Sequence, residues 1–309
     1  MQYTRSMKKS VIFAAVACLS VATATQEALS QSGPSVSVSY DLLPFQDFDD
    51  PVIDSIVGTD TTFFDAPQVQ LRKLRASLSY PIVLTKDRTI LVNDLSYQLI
   101  EFEYRELTYP LKRLHSASYT LMLQHRLAQK WSVWALATPS MASDLKAEIS
   151  EKDFNFQAAL IAIRHFSERF SLGFGAAYTT QFGSGEVVPI LAFDWNNGKN
   201  LMAKAILPAS FEFWYRPTAK VDLGLVLSGD GNNFRGDPEI YQVADPELRY
   251  TMLTFGPAVR LALGKFLRLH LEGGVIGLHR FEFFDGDDEG YSHELKPSEY
   301  ARIGLMFGK

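Results

Sequence analysis

A single cysteine, Cys18, occurs in the 309 residues, inside the N-terminal leader-like segment; a chain trimmed after Ala24 carries none. Disulfides, thiolate catalysis and zinc–thiolate centres are thereby removed together. Beyond the first two dozen residues there is no charge-free run of about 18 apolar residues, which a membrane-crossing helix requires. Helical periodicity is also missing, apart from a possible turn at 143–151. Familiar catalytic signatures are absent: no GxSxG, P-loop or GxGxxG occurs in a suitable context. The six histidines (His115, His125, His165, His270, His279 and His293) include no pair at the i, i+4 spacing of zinc enzymes. His115 and Ser116 are neighbours in sequence, so a strand sends them to opposite faces, which argues against joint catalysis. These residue types call for no cofactor or metal, and the chain does not read as an enzyme. The remaining enzymatic alternative, a lipid hydrolase, needs a Ser–His pair oriented by a third polar group at a lipid-facing rim.

What is present begins with an address. Arg5, Lys8 and Lys9 precede the apolar run Val11 to Ala17, and Ala22-Thr23-Ala24 supplies an A-x-A-like cleavage site. This order predicts a cleaved signal peptide over 1–24 and a short linker over 25–34. Ala28-Leu29-Ser30 is a second cleavage candidate, and Ala15-Val16-Ala17-Cys18 resembles a lipobox, which leaves lipidation at Cys18 as an alternative. Cleavage after Ala24 takes three basic and no acidic residues, moving the formal charge from −5 to −8. Such a balance argues against a nucleic-acid partner.

Strict period-2 alternation then recurs to the C-terminus. Leu267, Leu269 and Leu271 alternate with Arg268, His270 and Glu272; Phe170, Leu172, Phe174 and Tyr178 oppose Ser171, Gly173, Gly175 and Ala177. Segments of about ten such residues separated by turn signals are the sequence signature of a transmembrane β-barrel. Strands are expected near 35–43, 67–84, 89–103, 113–127, 131–141, 153–166, 170–182, 187–195, 200–207, 210–216, 221–229, 247–263, 265–281 and 298–308. Short links at Lys86-Asp87, Ala128-Gln129, Ser167-Glu168, Asn196-Asn197-Gly198, Pro217-Thr218 and Gly264 alternate with longer ones near 44–66, 104–112, 142–152, 230–246 and 282–297. Tight periplasmic turns and long extracellular loops produce this rhythm. Two links on the long side, 183–186 and Pro208-Ala209, break it. The fold expected over 35–309 is therefore all-β: one transmembrane antiparallel up-and-down barrel of about 14 strands, with 12 as the alternative. Trp131, Trp195 and Trp214 near strand ends are expected in aromatic girdles, and His125 and His279 on the lipid face. A soluble sandwich with its leucines in a dry core is the competing architecture.

Residues 187–231 carry a recognisable pattern. Pro189, Trp195, Leu207-Pro208 and Tyr215-Arg216-Pro217 frame a strand, a short turn and two further strands. In this it resembles a widespread group of uncharacterised bacterial outer-membrane β-barrel proteins. The resemblance implies a barrel and an envelope location in a Gram-negative bacterium; it brings no activity and no functional residues. The final stretch EYARIGLMFGK, with Arg302, Gly304 and Phe307 in place, resembles the C-terminal signal read by the outer-membrane barrel assembly machinery, although it ends in Gly308-Lys309. Partners implied are that machinery, outer-membrane lipids and lipopolysaccharide.

Candidate functional residues are those that alternation sends inward: Lys73, Arg75, Arg126, Asp222, Arg260, Arg268, His270 and Glu272. Charges of both signs in a lumen either line an aqueous path or pair into a plug. The function expected is a passive or gated channel for a small polar or amphipathic solute. The alternative is a non-conducting barrel presenting its long loops. The segment from Asp285 has acidic groups at calcium-loop positions, but Lys296 stands where a bidentate glutamate is required, so it is no EF-hand.

Overall fold

The computed structural model describes residues 33–48, 68–105, 111–180, 185–286 and 288–308. The expected leader with Cys18, and most of the 44–66 connection, lie outside these residues. Sixteen strands follow in order: β1 (Ser35–Leu42), β2 (Gln46–Asp47), β3 (Gln68–Thr85), β4 (Thr89–Arg105), β5 (Arg113–Ala128), β6 (Trp131–Ser143), β7 (Phe154–Ser167) and β8 (Phe170–Thr179), then β9 (Glu186–Asn196), β10 (Leu201–Leu207), β11 (Ser210–Thr218), β12 (Val221–Arg235), β13 (Pro246–Ala262), β14 (Leu267–Asp285), β15 (Asp288–Glu294) and β16 (Ser298–Gly308). One short helix, α1 (Pro238–Tyr241), sits between β12 and β13.

Each strand pairs antiparallel with its neighbours, and β1 closes the circle by pairing with both β16 and β3. Two strands stand outside the ring: β15 pairs only with β14, and β2 only with β3. The other fourteen form one closed barrel, which leaves no edge exposed. Among the described residues no second sheet is stacked on the first, so the sandwich alternative does not hold.

Alternation has the outcome expected of such a closure. Val36, Val38, Tyr40 and Leu42 are exposed on the outside of β1, and their partners on β16, Ala301, Ile303, Leu305 and Phe307, continue the same greasy strip. Leu95 is 54% exposed, whereas Lys73 on the adjoining strand is 2% exposed. That inverts the usual burial of leucine and exposure of lysine. Lateral packing outside is aromatic against small residues: Ala203 and Ala205 are covered because they lie opposite Trp195, Phe193, Phe213 and Phe211.

At one end the links are tight. Asp87 (φ 60°) and Gly198 (φ 71°) take the left-handed backbone that short turns demand. At the other end the strands are unequal. β10 has seven residues and β11 nine, whereas β12 runs for fifteen and β14 for nineteen. Strand continues to Arg235 and Asp285, beyond where alternation alone stops. Beside β9–β11 the wall is low, and the overhang of β12 and β13 has no wall strand to pair with on that side.

Candidate functional site

The overhang turns into the barrel. In a ring of fourteen, β5 and β12 lie diametrically opposite, yet Asn232 on β12 donates from Nδ2 to the Ser116 hydroxyl on β5 at 2.8 Å. Arg235 pairs parallel with Ser143 on β6, and the Asp144 N–H donates to the Arg235 carbonyl at 3.0 Å. Asn155 on β7 donates to the Asn233 carbonyl at 3.2 Å. The β12–β13 hairpin therefore crosses the lumen and plugs the end with long connections.

Its two faces differ as alternation dictates. One face, Phe234, Leu248, Tyr250 and Met252, packs with Leu71, Ile100, Phe102 and Leu114 from β3–β5 and with Ile276, Phe281 and Tyr300 into an apolar seal. Asp230, also on that face and 6% exposed, is ion-paired to Lys73 and lies 3.1 Å from Arg75 Nη2. The other face carries Asn233, whose Nδ2 donates to Glu247 at 2.8 Å; Arg235 forms ion pairs with Asp245 and Glu247. Leaving one member of a buried pair without its partner costs several kcal/mol, so these pairs fix the hairpin's place.

A second ionic group lies on the wall beside it. Arg302 reaches Asp41 at 2.7 and 2.8 Å and Glu272 at 3.1 Å, while Glu272 also accepts from the Tyr300 hydroxyl at 2.5 Å and lies 2.9 Å from His270 Nε2. Asp41 is opposite Lys73 in the β1–β3 register, so the two groups adjoin. On the adjoining strand Arg260, opposite His270 in the β13–β14 register, is 3.2 Å from Glu212 and stacks on the Trp214 ring at 3.8 Å, and Trp214 Nε1 donates to Glu212 at 2.7 Å.

Beneath the hairpin lies a cavity of about 150 Å³ walled by hydroxyls from β1 and β3–β6. Cross-strand neighbours bond in pairs: Ser37 with Ser77 at 2.7 Å, Ser96 with Ser118 at 2.6 Å, Thr120 with Thr138 at 3.0 Å. On the β6–β10 side the inward residues are apolar, among them Trp134, Ile161, Ile163, Ile190 and Ile206. Trp134, Ile161, Ile190 and Ile206 bound a smaller cavity of about 40 Å³ that shares Thr138 and Gln157 with the first. A third, about 180 Å³, shares Trp134 and Ile206 with the second and extends past His165, Ser171 and Asp194 towards the tight turns. Three adjoining cavities thus run from the hairpin to the opposite end.

Of the residues singled out by alternation, the structure brings Lys73 and Arg75 together on Asp230, places His270 on Glu272, and sets Arg260 on Glu212. Asp222 pairs instead with Arg216, its Oδ1 2.5 Å from Arg216 Nε, near a tight turn. Arg126 and Arg268 are exposed towards the tight-turn end and join neither group. His115 faces outward, bonded to the Tyr97 hydroxyl at 2.7 Å, while Ser116 faces inward, so the two do not act together.

Two expectations are corrected. His279 is not on the lipid face: a bulge between Leu253 and Thr254 shifts the β13–β14 register, and the ring is buried inside against Gln46 at 2.6 Å. Trp214 is no girdle residue, because its strand parity sends it inward; Trp131 does lie outside, with Arg164 5.7 Å from its ring. Asp41, Glu212 and the hydroxyl wall went unmarked in the sequence, although they alternate with apolar neighbours in the same way; Arg302 stands out there only within the C-terminal signal, and Asp230 lies between Gly229 and Gly231, where no such alternation shows. Among the described residues no cluster of three His, Cys, Asp or Glu is arranged to hold a metal ion, and no helix is long and apolar enough to cross a membrane.

Comparison with known proteins gives one family. The model described as "Domain of unknown function (DUF6268)" matches residues 86–308. No curated protein matches. Among solved structures the chain is similar to the COG4313 outer membrane channel of Pseudomonas putida F1, at 11% identity over 89% of this chain and 95% of that one, with a TM-score of 0.48. It is also similar to the P. putida toluene transporter TodX, at 10% identity over 91% of each chain and a TM-score of 0.41. A third likeness is to the KdgM porin, at 8% identity over 88% of this chain and 99% of that one, with a TM-score of 0.37.

Proposed function

The chain belongs to the DUF6268 family, and on that premise we propose that it spans the outer membrane as a barrel and passes a small polar or amphipathic solute through a gated lumen. The apolar exterior supports the membrane reading: a continuous outer band of Leu, Val, Phe and Tyr far exceeds the apolar patches tolerated in water, and hydrocarbon is the solvent that removes the cost. The row of three cavities ending beneath the ion-paired hairpin carries the gating reading. An open pore has no use for a plug, and a solid structural barrel has no use for adjoining cavities along its axis.

Gating is then displacement of one element. The wall below Gly229 and Leu253 is complete without the overhang, since β12 pairs there with both β11 and β13. Removing residues 230–252 and joining the strands by a short turn leaves the ring intact. The test is ion conductance and solute efflux for the folded full chain in planar bilayers and liposomes. The expected result is brief, small openings for the unaltered chain and a steady, larger conductance for the shortened one. Two folded barrels that both stay silent would overturn the conduit reading. The second reading, a non-conducting barrel that displays its long connections, is favoured by one observation: Phe234, Leu248 and Tyr250 seal the mouth with apolar contacts. It predicts unchanged permeability on shortening and a loss of surface binding instead.

A further inference from the structure

The seam between the hydroxyl-walled cavity and the apolar one has an unusual composition. Thr138 and Gln157 line both cavities. Gln157 Nε2 and, beside it on the polar side, Ser140 Oγ are buried without a hydrogen-bond partner among the described residues. Both side chains are more than nine-tenths buried. A buried amide or hydroxyl without a partner costs about 1–3 kcal/mol, so such groups are retained where something else satisfies them. A few ångströms away, Trp134, Leu136, Ile161 and Ile190 offer only carbon surface. One site therefore presents free donors at one end and an apolar slot at the other.

The charges narrow the class further. Each arginine facing the larger cavity is engaged by a carboxylate: Arg75 by Asp230, Arg260 by Glu212, and Arg302 by Asp41 and Glu272. No arginine there is left to hold an anionic head group, and an added negative charge would meet the carboxylates of Asp94, Glu212 and Glu272 in the cavity wall. We infer that the seam binds a small neutral amphiphile, its hydroxyl or carbonyl oxygen at Ser140 and Gln157 and its hydrocarbon end between Trp134, Leu136, Ile161 and Ile190. This rests on the reading of the lumen as a solute path and names the solute class. The hydroxyl wall beyond the seam gives the polar end continued hydrogen bonding as it leaves, while an alkane would have no such partner and a sugar would find no match in the apolar slot.

The experiment is calorimetric titration of the full chain in lipid nanodiscs with 1-hexanol, hexanoate and glucose as probes, each corrected for empty nanodiscs. Saturable 1-hexanol binding is expected, at least tenfold weaker binding of hexanoate, and none of glucose. Gln157→Leu and Ser140→Ala should each weaken 1-hexanol binding about tenfold while the heat-modified gel shift of the folded barrel is kept. If Gln157→Leu fails to fold, the smaller Ser140→Ala carries the test. No saturable 1-hexanol binding, equal binding of hexanoate, or unchanged affinity in a folded variant would each overturn the assignment. Conductance is read separately: a barrel that conducts but does not bind 1-hexanol loses only the solute class, and one that binds but never conducts loses only the conduit.

Discussion

Asn232 donates to Ser116 at 2.8 Å although the strands that carry them stand on opposite sides of the ring. A bond of that length across a fourteen-stranded barrel is possible only because the upper half of β12 has left the wall. The same displacement gives Lys73 its partner, since Asp230 lies two residues earlier on that inward face. Position of the hairpin and neutralisation of a buried lysine are thus one structural event.

Asp230→Asn tests that coupling. The substitution leaves Lys73, 2% exposed, without its carboxylate. Removing one partner of a buried pair costs about 3–5 kcal/mol, part of which is recovered here by hydration when the hairpin lifts. Two outcomes are expected together: a lower denaturation midpoint for the refolded barrel and more frequent channel openings. Lys73→Met combined with Asp230→Leu should restore most of the stability, because no charge is then left buried. A stable, silent Asp230→Asn barrel would show that the pair does not hold the plug.

The apolar band supplies a direct test of the membrane reading. Leu95 lies mid-strand on β4 with its side chain exposed outside, between Asp94 and Ser96, which face the lumen. Leu95→Arg should cost about 2–4 kcal/mol of folding free energy in liposomes, the range for a cation near the bilayer midplane. Ser96→Arg, one residue on but inward, should not show that depth-dependent penalty. Urea titration of both variants in vesicles distinguishes lipid contact from water contact.

Most of the ring was legible in the sequence, because lipid outside and polar groups inside leave a period-2 mark on each strand. The fourteen strands fall within a few residues of where alternation puts them, and the inward charges Lys73, Arg75, Arg260, His270 and Glu272 follow from parity alone. Parity fails where the register slips: the bulge beside Thr254 turns His279 inward, and no local pattern announces it. The hairpin was hidden for a different reason. Asn232, Asn233 and Phe234 are buried on both faces once the overhang enters the lumen, so the alternation that marks a wall strand is lost there. Pairing across the barrel, such as Asp230 with Lys73 at a separation of 157 residues, leaves no trace in spacing.

Gly224 shows how the wall accommodates the inward Trp214. A Cβ at this position would lie 2.4 Å from the Trp214 ring, on the neighbouring strand opposite it. Gly224→Val should push the indole off Arg260 and Glu212, freeing an arginine and a carboxylate into the polar cavity. The expected signs are a red-shifted tryptophan emission and a lower thermal midpoint, with Gly224→Ala intermediate. An unchanged emission spectrum would mean that the ring has room the geometry does not show.

Acidity should tighten the hairpin tip. Asp144, beyond the end of β6, receives the N–H groups of Lys146 and Asp237 at 3.1 and 3.3 Å, and its own N–H holds the Arg235 carbonyl. Burial raises its carboxyl above the ordinary aspartate value of 3.8, outweighing these hydrogen bonds and the nearby Lys146 charge, while Asp237 adds to the rise. Since the folded value is the higher one, the docked tip binds a proton more readily than the released tip. Docking is therefore favoured as pH falls from above the raised value towards 3.8, and this gain is absent at neutral pH. Asp144→Asn removes this carboxylate contribution. Amide exchange at Arg235 and Gly236, compared between wild type and Asp144→Asn from pH 7 to pH 4 after correction for intrinsic rates, should show protection rising on acidification in the wild type alone. Equal pH profiles in the two proteins would place the control of the tip elsewhere.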